Sequence, residues 1–197
     1  MKPAIKELMD DHQVILRMCR ALNGMCLSLG AGKTVAPADL DAALDFIKVY
    51  ADYCHHGKEE DLLFPAMGEV GFPTHGGPVA VMLMEHEQGR AYVKALAAGL
   101  ERVKAGEAAA LKDVARAASG YSSLLSGHIA KEDGILYPMA MDAIPDARWQ
   151  ILKKEFDRVE AERMGPKRRA GYEALVDRLL AAYPAPELVR PAAGMCH

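Results

Sequence analysis

Apolar residues recur every three or four positions along four long segments of the chain, which is the spacing of one face of an α-helix. Three of the segments begin beside a proline, a residue favoured in the first turn of a helix. The four segments are predicted to be helices over about residues 3–30, 37–65, 78–103 and 107–138. Two shorter amphipathic stretches follow residue 145, separated by a Gly-Pro break at 165–166, and predict further helices.

Short connectors between the long helices favour an all-α fold, with an up-down four-helix bundle as its architecture. We expect the bundle to occupy residues 1–145 and a C-terminal helical extension to occupy residues 146–183, packed outside the bundle. Prolines at 184, 186 and 191 disfavour another helix, so residues 184–197 are predicted to form a flexible tail.

The composition agrees with a compact helical domain and argues against several classes of partner. Hydrophobic residues make up 51% of the chain and charged residues 26%, which is typical of a globular protein with a continuous core. The net charge is −3 and basic residues are scattered, so we expect no nucleic-acid partner. The N-terminal segment carries acids where a secretory signal needs an apolar run, and no apolar run is long enough to cross a bilayer. We therefore expect a cytoplasmic protein with no membrane partner.

One histidine lies on the apolar stripe of each long helix and is expected to point into the bundle. On the second and fourth helices a glutamate follows the histidine four positions later and shares its face. These predicted metal ligands are His12, His55, Glu59, His86, His128 and Glu132. Two buried carboxylates without partners would be costly, whereas a pair of metal ions would neutralise both.

The two His-x-x-x-Glu segments form an internal repeat, HHGKEEDLLFP at residues 55–65 and HIAKEDGILYP at residues 128–138. Aligning the repeat pairs His55 with His128 and Glu59 with Glu132. His56 and Glu60 have the same spacing, but on an α-helix His56 points about 140° from the buried Ala51, while His55 points about 40° from it. We therefore predict His55 and Glu59 as ligands, and keep His56 and Glu60 as alternates or as hydrogen-bonding partners of the ligands.

Four motifs together resemble the hemerythrin-like, HHE cation-binding domain: DDH at 10–12, HHGKEE with LLFP, MEHEQGR around His86, and HIAKED with ILYP. The resemblance covers about residues 3–141. It implies an up-down bundle that binds two iron ions joined by an oxo or hydroxo bridge. It also implies one histidine ligand from each of the first and third helices, and a His-x-x-x-Glu pair from each of the second and fourth.

The chain departs from oxygen-carrying hemerythrins, which have a fifth histidine one turn before the ligand of the third helix, where Met82 stands here. Four imidazoles, two bridging carboxylates and one bridging oxygen fill about ten of the twelve octahedral positions on two irons. About two positions then stay open, and Glu85 is a further candidate to fill one of them. Manganese or zinc would suit the same donors, because spacing alone does not select iron.

Open positions on a di-iron pair favour a protein that binds or senses O2, NO or peroxide. An alternative is a di-iron enzyme of nitrosative or oxidative stress that reduces NO or peroxide, or that repairs iron-sulfur proteins. The chain shows no output domain of its own, so either role would need a redox or output partner that the sequence does not identify. A purely structural bundle is disfavoured, because the two buried carboxylates would then have no counter-charge.

Overall fold

The computed structural model describes residues 1–186, and every regular element within that range is helical. The α-helices are α1 Pro3–Gly30, α2 Pro37–Phe46, α3 Phe64–Glu69, α4 Gly77–Lys104, α5 Leu111–Lys131, α6 Tyr137–Ala143, α7 Asp146–Arg163 and α8 Pro166–Ala182. A short 3-10 turn, Ala108–Ala110, leads into α5. The predicted tail at 184–197 lies outside the described residues from position 187 onward.

Three π-helical segments interrupt the α-helical geometry of the second and fourth predicted helices. They are π1 Ile47–His56 and π2 Glu59–Leu63, between α2 and α3, and π3 Glu132–Leu136, between α5 and α6. The chain stays helical throughout 37–69 and 108–143, so each of the two predicted helices is continuous. Segments π2 and π3 occupy aligned positions of the sequence repeat, and both begin at its glutamate. Such wide turns commonly occur at functional sites.

The predicted helix boundaries agree closely with the structure where proline and glycine mark them. Helix α1 has Pro3 in its first turn, where the missing N–H donor is not needed by the helix. It ends beside Gly32, whose φ of +72° is readily adopted only by glycine. Helix α4 begins at Gly77, one residue before the predicted start. The fourth helix extends past Pro138 to Ala143, because the proline lies in the first turn of α6 after a π segment.

The buried apolar residues form two separate clusters along the helices. One cluster includes Ile15 of α1 and Leu125 of α5, and the other includes Leu8 of α1 and Leu136 of π3. The change from one cluster to the other therefore falls between positions 8 and 15 of α1, and between 125 and 136 of the fourth predicted helix. The predicted ligands of these two helices lie within those intervals, so the site occupies a polar layer between two apolar cores.

The C-terminal helices pack against the ligand-bearing helices. Helix α7 contacts α1, π1 and π2, while α8 contacts α1 and α2. Phe156 of α7 belongs to the second apolar cluster, and Val176 and Leu179 of α8 belong to the first. Among residues 1–186, no helix combines the length and the apolar character that crossing a bilayer would require.

Candidate metal centre

Five histidines and two glutamates meet in the polar layer, and all seven side chains are buried. They include every one of the six predicted ligands together with His56. Their donor atoms fall into two groups, in each of which all the donor atoms lie within 4.8 Å of one another. The first group is His56, Glu59, His86 and His128, and the second is His12, His55 and Glu132.

Each glutamate reaches imidazoles of both groups. Glu59 Oε2 lies 3.7 Å from His55 Nε2 and 3.6 Å from His86 Nε2. Glu132 Oε2 lies 3.2 Å from His12 Nε2, and its Oε1 lies 3.1 Å from His128 Nε2. Carboxylates placed between two sets of nitrogen donors are suited to bridging two metal ions.

The ligand-facing atom of the histidines is Nε2. The Nε2 atoms of His12 and His55 lie 3.1 Å apart, and those of His86 and His128 lie 3.0 Å apart. Two imidazole nitrogens so close together cannot both be protonated favourably, because like charges repel in a buried site. The arrangement therefore suits neutral imidazoles that share a cation.

Every one of the five histidines has a carboxylate beside its other ring nitrogen. The Nδ1-to-oxygen distances are 2.7 Å for His12 and Asp133, 3.5 Å for His55 and Asp11, 3.2 Å for His56 and Asp52, 2.6 Å for His86 and Glu60, and 3.0 Å for His128 and Glu85. A carboxylate that accepts the Nδ1–H fixes the tautomer and leaves the Nε2 lone pair free for a metal. Glu60 and Glu85 thus serve as partners of the ligands and do not lie in either donor group.

α-Helical periodicity predicted that His56 would point away from the site, but the structure places it among the donors. Its ring stacks on that of His86 with 3.9 Å between centroids, and its Nε2 belongs to the first donor group. A π-helix bonds residue i to residue i+5, so its wider turn separates adjacent side chains by a smaller angle than an α-helix does. His55 and His56 end π1 and both face the interior. The adjacent histidines at 55 and 56 were the feature of the sequence that could have indicated a second ligand on this helix.

Three of the four carboxylate oxygens of Glu59 and Glu132 lack a hydrogen-bond donor within residues 1–186. His56 Nε2, Glu59 Oε2 and both oxygens of Glu132 are buried and have no hydrogen-bond partner among residues 1–186. Burial, together with the facing carboxylate of Glu132, raises the pKa of Glu59 well above its usual range. Without metal, Glu132 would depend on a protonated imidazole of His12 or His128 for its counter-charge, and Glu59 would be favoured in its neutral form. Bound cations would let both carboxylates carry their charge.

Burial also favours neutral imidazole at two of the ligands. It lowers the pKa of His55 to about 4, and together with the neighbouring His86 it lowers that of His56 well below the usual value. At His128 burial acts in the same direction, but the carboxylates of Glu132 and Glu85 together outweigh it and raise the pKa to about 9. Metal binding would release that proton, because only the neutral ring offers a lone pair.

Tyr137 brings a hydroxyl into the site. It lies at the position of the repeat that Phe64 fills in the other copy, and its side chain is buried. The hydroxyl donates a hydrogen bond to Glu59 Oε1 at 2.7 Å and lies 3.3 Å from His12 Nε2. The bond fixes one oxygen of Glu59, so the other oxygen, Oε2, points toward the imidazoles of both groups.

Cations surround the carboxylates that hold the histidines. Arg90 contacts Asp52 at 2.9 Å and Glu60 at 2.7 Å, and so joins the partners of the two stacked imidazoles. Lys131 pairs with Glu85, the partner of His128. The centre is therefore organised in layers of imidazoles and glutamates, then carboxylates, then basic side chains, which keeps each histidine in one orientation.

Comparison with known proteins shows which family has this pattern of residues. The profile of the hemerythrin HHE cation binding domain matches residues 4–140, which contain both donor groups. The chain belongs to the hemerythrin HHE cation-binding family. The match ends within α6, so helices α7 and α8 lie beyond the part that defines this family.

Similar full-length proteins occur in mycobacteria. The chain is 24% identical over 177 residues to Uncharacterized protein Rv1995 of Mycobacterium tuberculosis strain H37Rv and to Uncharacterized protein Mb2018 of Mycobacterium bovis. Each alignment covers 89% of this chain and 67% of the relative. No solved structure matches the chain significantly. The aligned region extends well beyond the length of the hemerythrin domain, so the similarity includes part of the C-terminal helices.

The donors of this hemerythrin-family chain fit a pair of transition-metal ions. Neutral imidazoles and carboxylates suit iron, manganese or zinc, and the orphaned oxygens of Glu59 and Glu132 would become ligands on binding. His56, His86 and His128 would hold one ion and His12 and His55 the other, with the two glutamates between them. If the bound metal were iron or manganese, it would supply redox chemistry, and the buried histidines and glutamates would hold it away from bulk water.

Proposed function

We propose that this chain binds two iron ions in an up-down four-helix bundle and uses them to bind or sense O2, NO or peroxide. The observation that carries the proposal is the position of Glu59 and Glu132, each within 4 Å of imidazoles from both donor groups. Carboxylates so placed hold two ions close together. The resemblance to hemerythrins favours iron over the other metals that these donors accept.

The fifth imidazole revises the number of open positions. The sequence-based count used four histidines and left about two octahedral positions free. His56 occupies one of them, because its Nε2 lies in the first donor group. It thereby takes the role of the extra histidine of oxygen carriers, although it comes from the second helix and Met82 still replaces the usual residue. About one position then stays open, in the group of His12 and His55, which has two imidazoles instead of three.

Bound iron would supply an open coordination position and the electrons for reversible ligand binding. The protein's residues would exclude water from that position, since His12 and His55 are buried and apolar clusters lie on both sides of the polar layer. Tyr137 would keep Glu59 oriented between the groups through its 2.7 Å hydrogen bond. The same hydroxyl lies 3.3 Å from His12 Nε2, so a ligand bound on that side would compete with Glu59 for its one hydrogen.

The enzyme alternative remains a second proposal, because a buried hydroxyl beside an open position can also deliver a proton. Such a protein would reduce NO or peroxide, or supply iron to damaged iron-sulfur proteins. A binder and an enzyme differ in stoichiometry: the first forms a lasting adduct, whereas the second consumes more ligand than it holds iron.

Anaerobic titration of the reduced, iron-loaded protein with NO tests this proposal, with parallel titrations against O2 and hydrogen peroxide. We expect the optical spectrum to change until about one NO per chain is bound, and the adduct to persist. Consumption of ligand in excess of iron would instead support the enzyme. Absence of any spectral response to all three ligands would contradict both proposals.

Two substitutions on α4 provide a matched comparison for the titration. His86→Ala removes a ligand of the three-histidine group and is expected to abolish the response. Glu87→Ala removes the adjacent exposed carboxylate, which forms an ion pair with Arg90 at 2.7 Å. The second variant should retain the adduct. An equal loss in both variants would indicate damage to α4 and not the loss of a ligand.

A further inference from the structure

Asp11 is the most heavily shared of the five carboxylates that face the histidines. Its side chain is buried, and besides His55 it contacts Lys58 Nζ at 3.3 Å and accepts a hydrogen bond from the Tyr50 hydroxyl at 3.1 Å. The remaining contact comes from outside the family domain. The guanidinium of Arg169 in α8 donates to Asp11 Oδ1 at 2.8 Å.

Arg169 is held firmly in place for this contact. It donates from Nε and NH2 to the two oxygens of Glu160 in α7, at 2.6 and 2.9 Å. It also donates to the Tyr50 hydroxyl at 2.6 Å, and its guanidinium lies 4.9 Å from the centre of the Tyr50 ring. A bidentate bond fixes the plane of the guanidinium, so its distance to Asp11 is defined by the α7–α8 pair.

The contact between Asp11 and His55 is longer than the corresponding contacts of the other four histidines. The oxygen of Asp11 lies 3.5 Å from His55 Nδ1, whereas the other four histidines have their carboxylates at 2.6 to 3.2 Å. His55 Nδ1 is also the only Nδ1 among these five ligands, within residues 1–186, that is buried without a hydrogen bond of good geometry. Oδ2 of Asp11 faces both His55 and Lys58, while its Oδ1 accepts from Arg169 and from the Tyr50 hydroxyl. The imidazole therefore shares one carboxylate with two cations.

We propose that Arg169 is a positioning residue for the imidazole of His55 and acts on it through the carboxylate of Asp11. The inference rests on the proposed function, because His55 matters here as a metal ligand. It assigns a role to the C-terminal helices, which lie beyond the matched residues 4–140. Helices α7 and α8 thereby help to tune the two-histidine side of the centre, where the open position lies.

The direction of the effect follows from electrostatics. A carboxylate that accepts the Nδ1–H strongly makes the imidazole a better electron donor, which stabilises the higher oxidation state of the metal. Arg169 weakens this effect, because its charge offsets that of Asp11. Removing the charge should therefore strengthen the bond from His55 to Asp11 and lower the reduction potential of the centre.

The test compares reduction potentials of iron-loaded wild type, Arg169→Gln, Arg169→Met and Arg169→Lys, measured by spectroelectrochemistry. Glutamine and methionine should each lower the potential, and lysine should keep it near the wild-type value because it retains the charge. Arg168→Met is the matched control, because the guanidinium of this neighbouring arginine lies over the Tyr172 ring at 5.5 Å instead of at Asp11. Equal potentials in all five proteins, or an equal shift in the control, would overturn the proposal.

A second measurement on metal-free protein separates this inference from the proposed function. The Nδ1–H proton of His55 should exchange slowly because the side chain is buried, so NMR can observe it. In Arg169→Gln and Arg169→Met its signal should move downfield as the bond to Asp11 shortens, while Arg169→Lys and Arg168→Met should leave it in place. Should wild type fail to hold iron, the proposed function fails, and this shift alone decides whether Arg169 positions His55. An unchanged signal in both neutral variants would refute the positioning role whatever the metal content.

Discussion

Glu59→Ala is expected to lose the metal pair. Its carboxylate lies between His55 and His86 and is buried without another cation, so its removal takes a ligand from both ions at once. Losing one outer hydrogen-bond partner of a ligand usually lowers metal affinity about 10–100-fold, and loss of a bridging ligand should exceed about 100-fold. Iron content after loading and desalting, measured by elemental analysis, should fall from two per chain to one or fewer.

Glu60→Ala is the matched control for this experiment, because the adjacent glutamate has equal spacing from a histidine. Glu60 accepts from His86 Nδ1 and pairs with Arg90, so it supports a ligand without being one. We expect this variant to retain two irons with about tenfold weaker binding. If Glu60→Ala loses the metals and Glu59→Ala keeps them, the assignment of the ligands is wrong.

Lys58→Met is expected to destabilise the fold by about 3–5 kcal/mol, the usual cost of removing one partner from a buried ion network. The Lys58 side chain is 0% exposed, and its ammonium lies 2.6 Å from Glu7, 3.3 Å from Asp11 and 2.9 Å from Glu160. These carboxylates raise its pKa against the opposing effect of burial. Methionine fills a similar volume but leaves negative charges facing one another. Urea unfolding of the metal-free proteins measures the loss without a contribution from metal binding.

The internal repeat supplies the control for Lys58. Lys131 occupies the aligned position, but its side chain is 39% exposed, and within residues 1–186 it forms an ion pair with Glu85 alone. Pairs this exposed usually contribute about 1 kcal/mol or less. We therefore expect Lys131→Met to unfold close to wild type. A loss below about 1 kcal/mol in Lys58→Met, or an equal loss in both variants, would show that the buried network does not stabilise the fold as described.

The two lysines show how α7 and α8 break the symmetry of the repeat. Both follow a histidine by three residues and precede a glutamate by one, so the sequence treats them alike. Glu160 of α7 comes within 2.9 Å of Lys58, and α8 brings Arg169 to the same cluster. In the described part of the chain, Lys131 instead pairs with a residue of α4, Glu85. The extension was predicted to pack outside the bundle. Its polar contacts with the ligand helices could not be predicted, because they depend on how distant segments meet.

Much of the helical structure could be predicted from the spacing of apolar residues and from the residues that begin and end helices. The start of α1 at Pro3 and the positions of the long helices follow from proline placement and apolar stripes. Six of the donor residues followed from the same stripes, because an inward histidine interrupts an apolar face. The structure places their donor atoms together in two groups.

The seventh donor and the outer carboxylates could be predicted only in part. The assumption of an α-helical turn made His56 an alternate to His55 or a partner of the ligands, because no residue in π1 indicates the wider turn of a π-helix. Asp52 lies four residues before His56 and is a local partner on the same helix, so spacing could have indicated it. Asp133 lies 2.7 Å from His12 although 121 positions separate the two residues. Such a contact depends on the relative placement of two helices, which sequence periodicity does not define.

Metal analysis of the purified wild-type protein, combined with its optical spectrum in the oxidised state, tests the central claim most directly. Elemental analysis should give two irons per chain, and the spectrum should show intense near-ultraviolet bands of a bridged ferric pair that disappear on reduction. Protein that takes up no iron when loaded under reducing conditions, or that binds a single zinc ion per chain, would contradict the assignment of this centre.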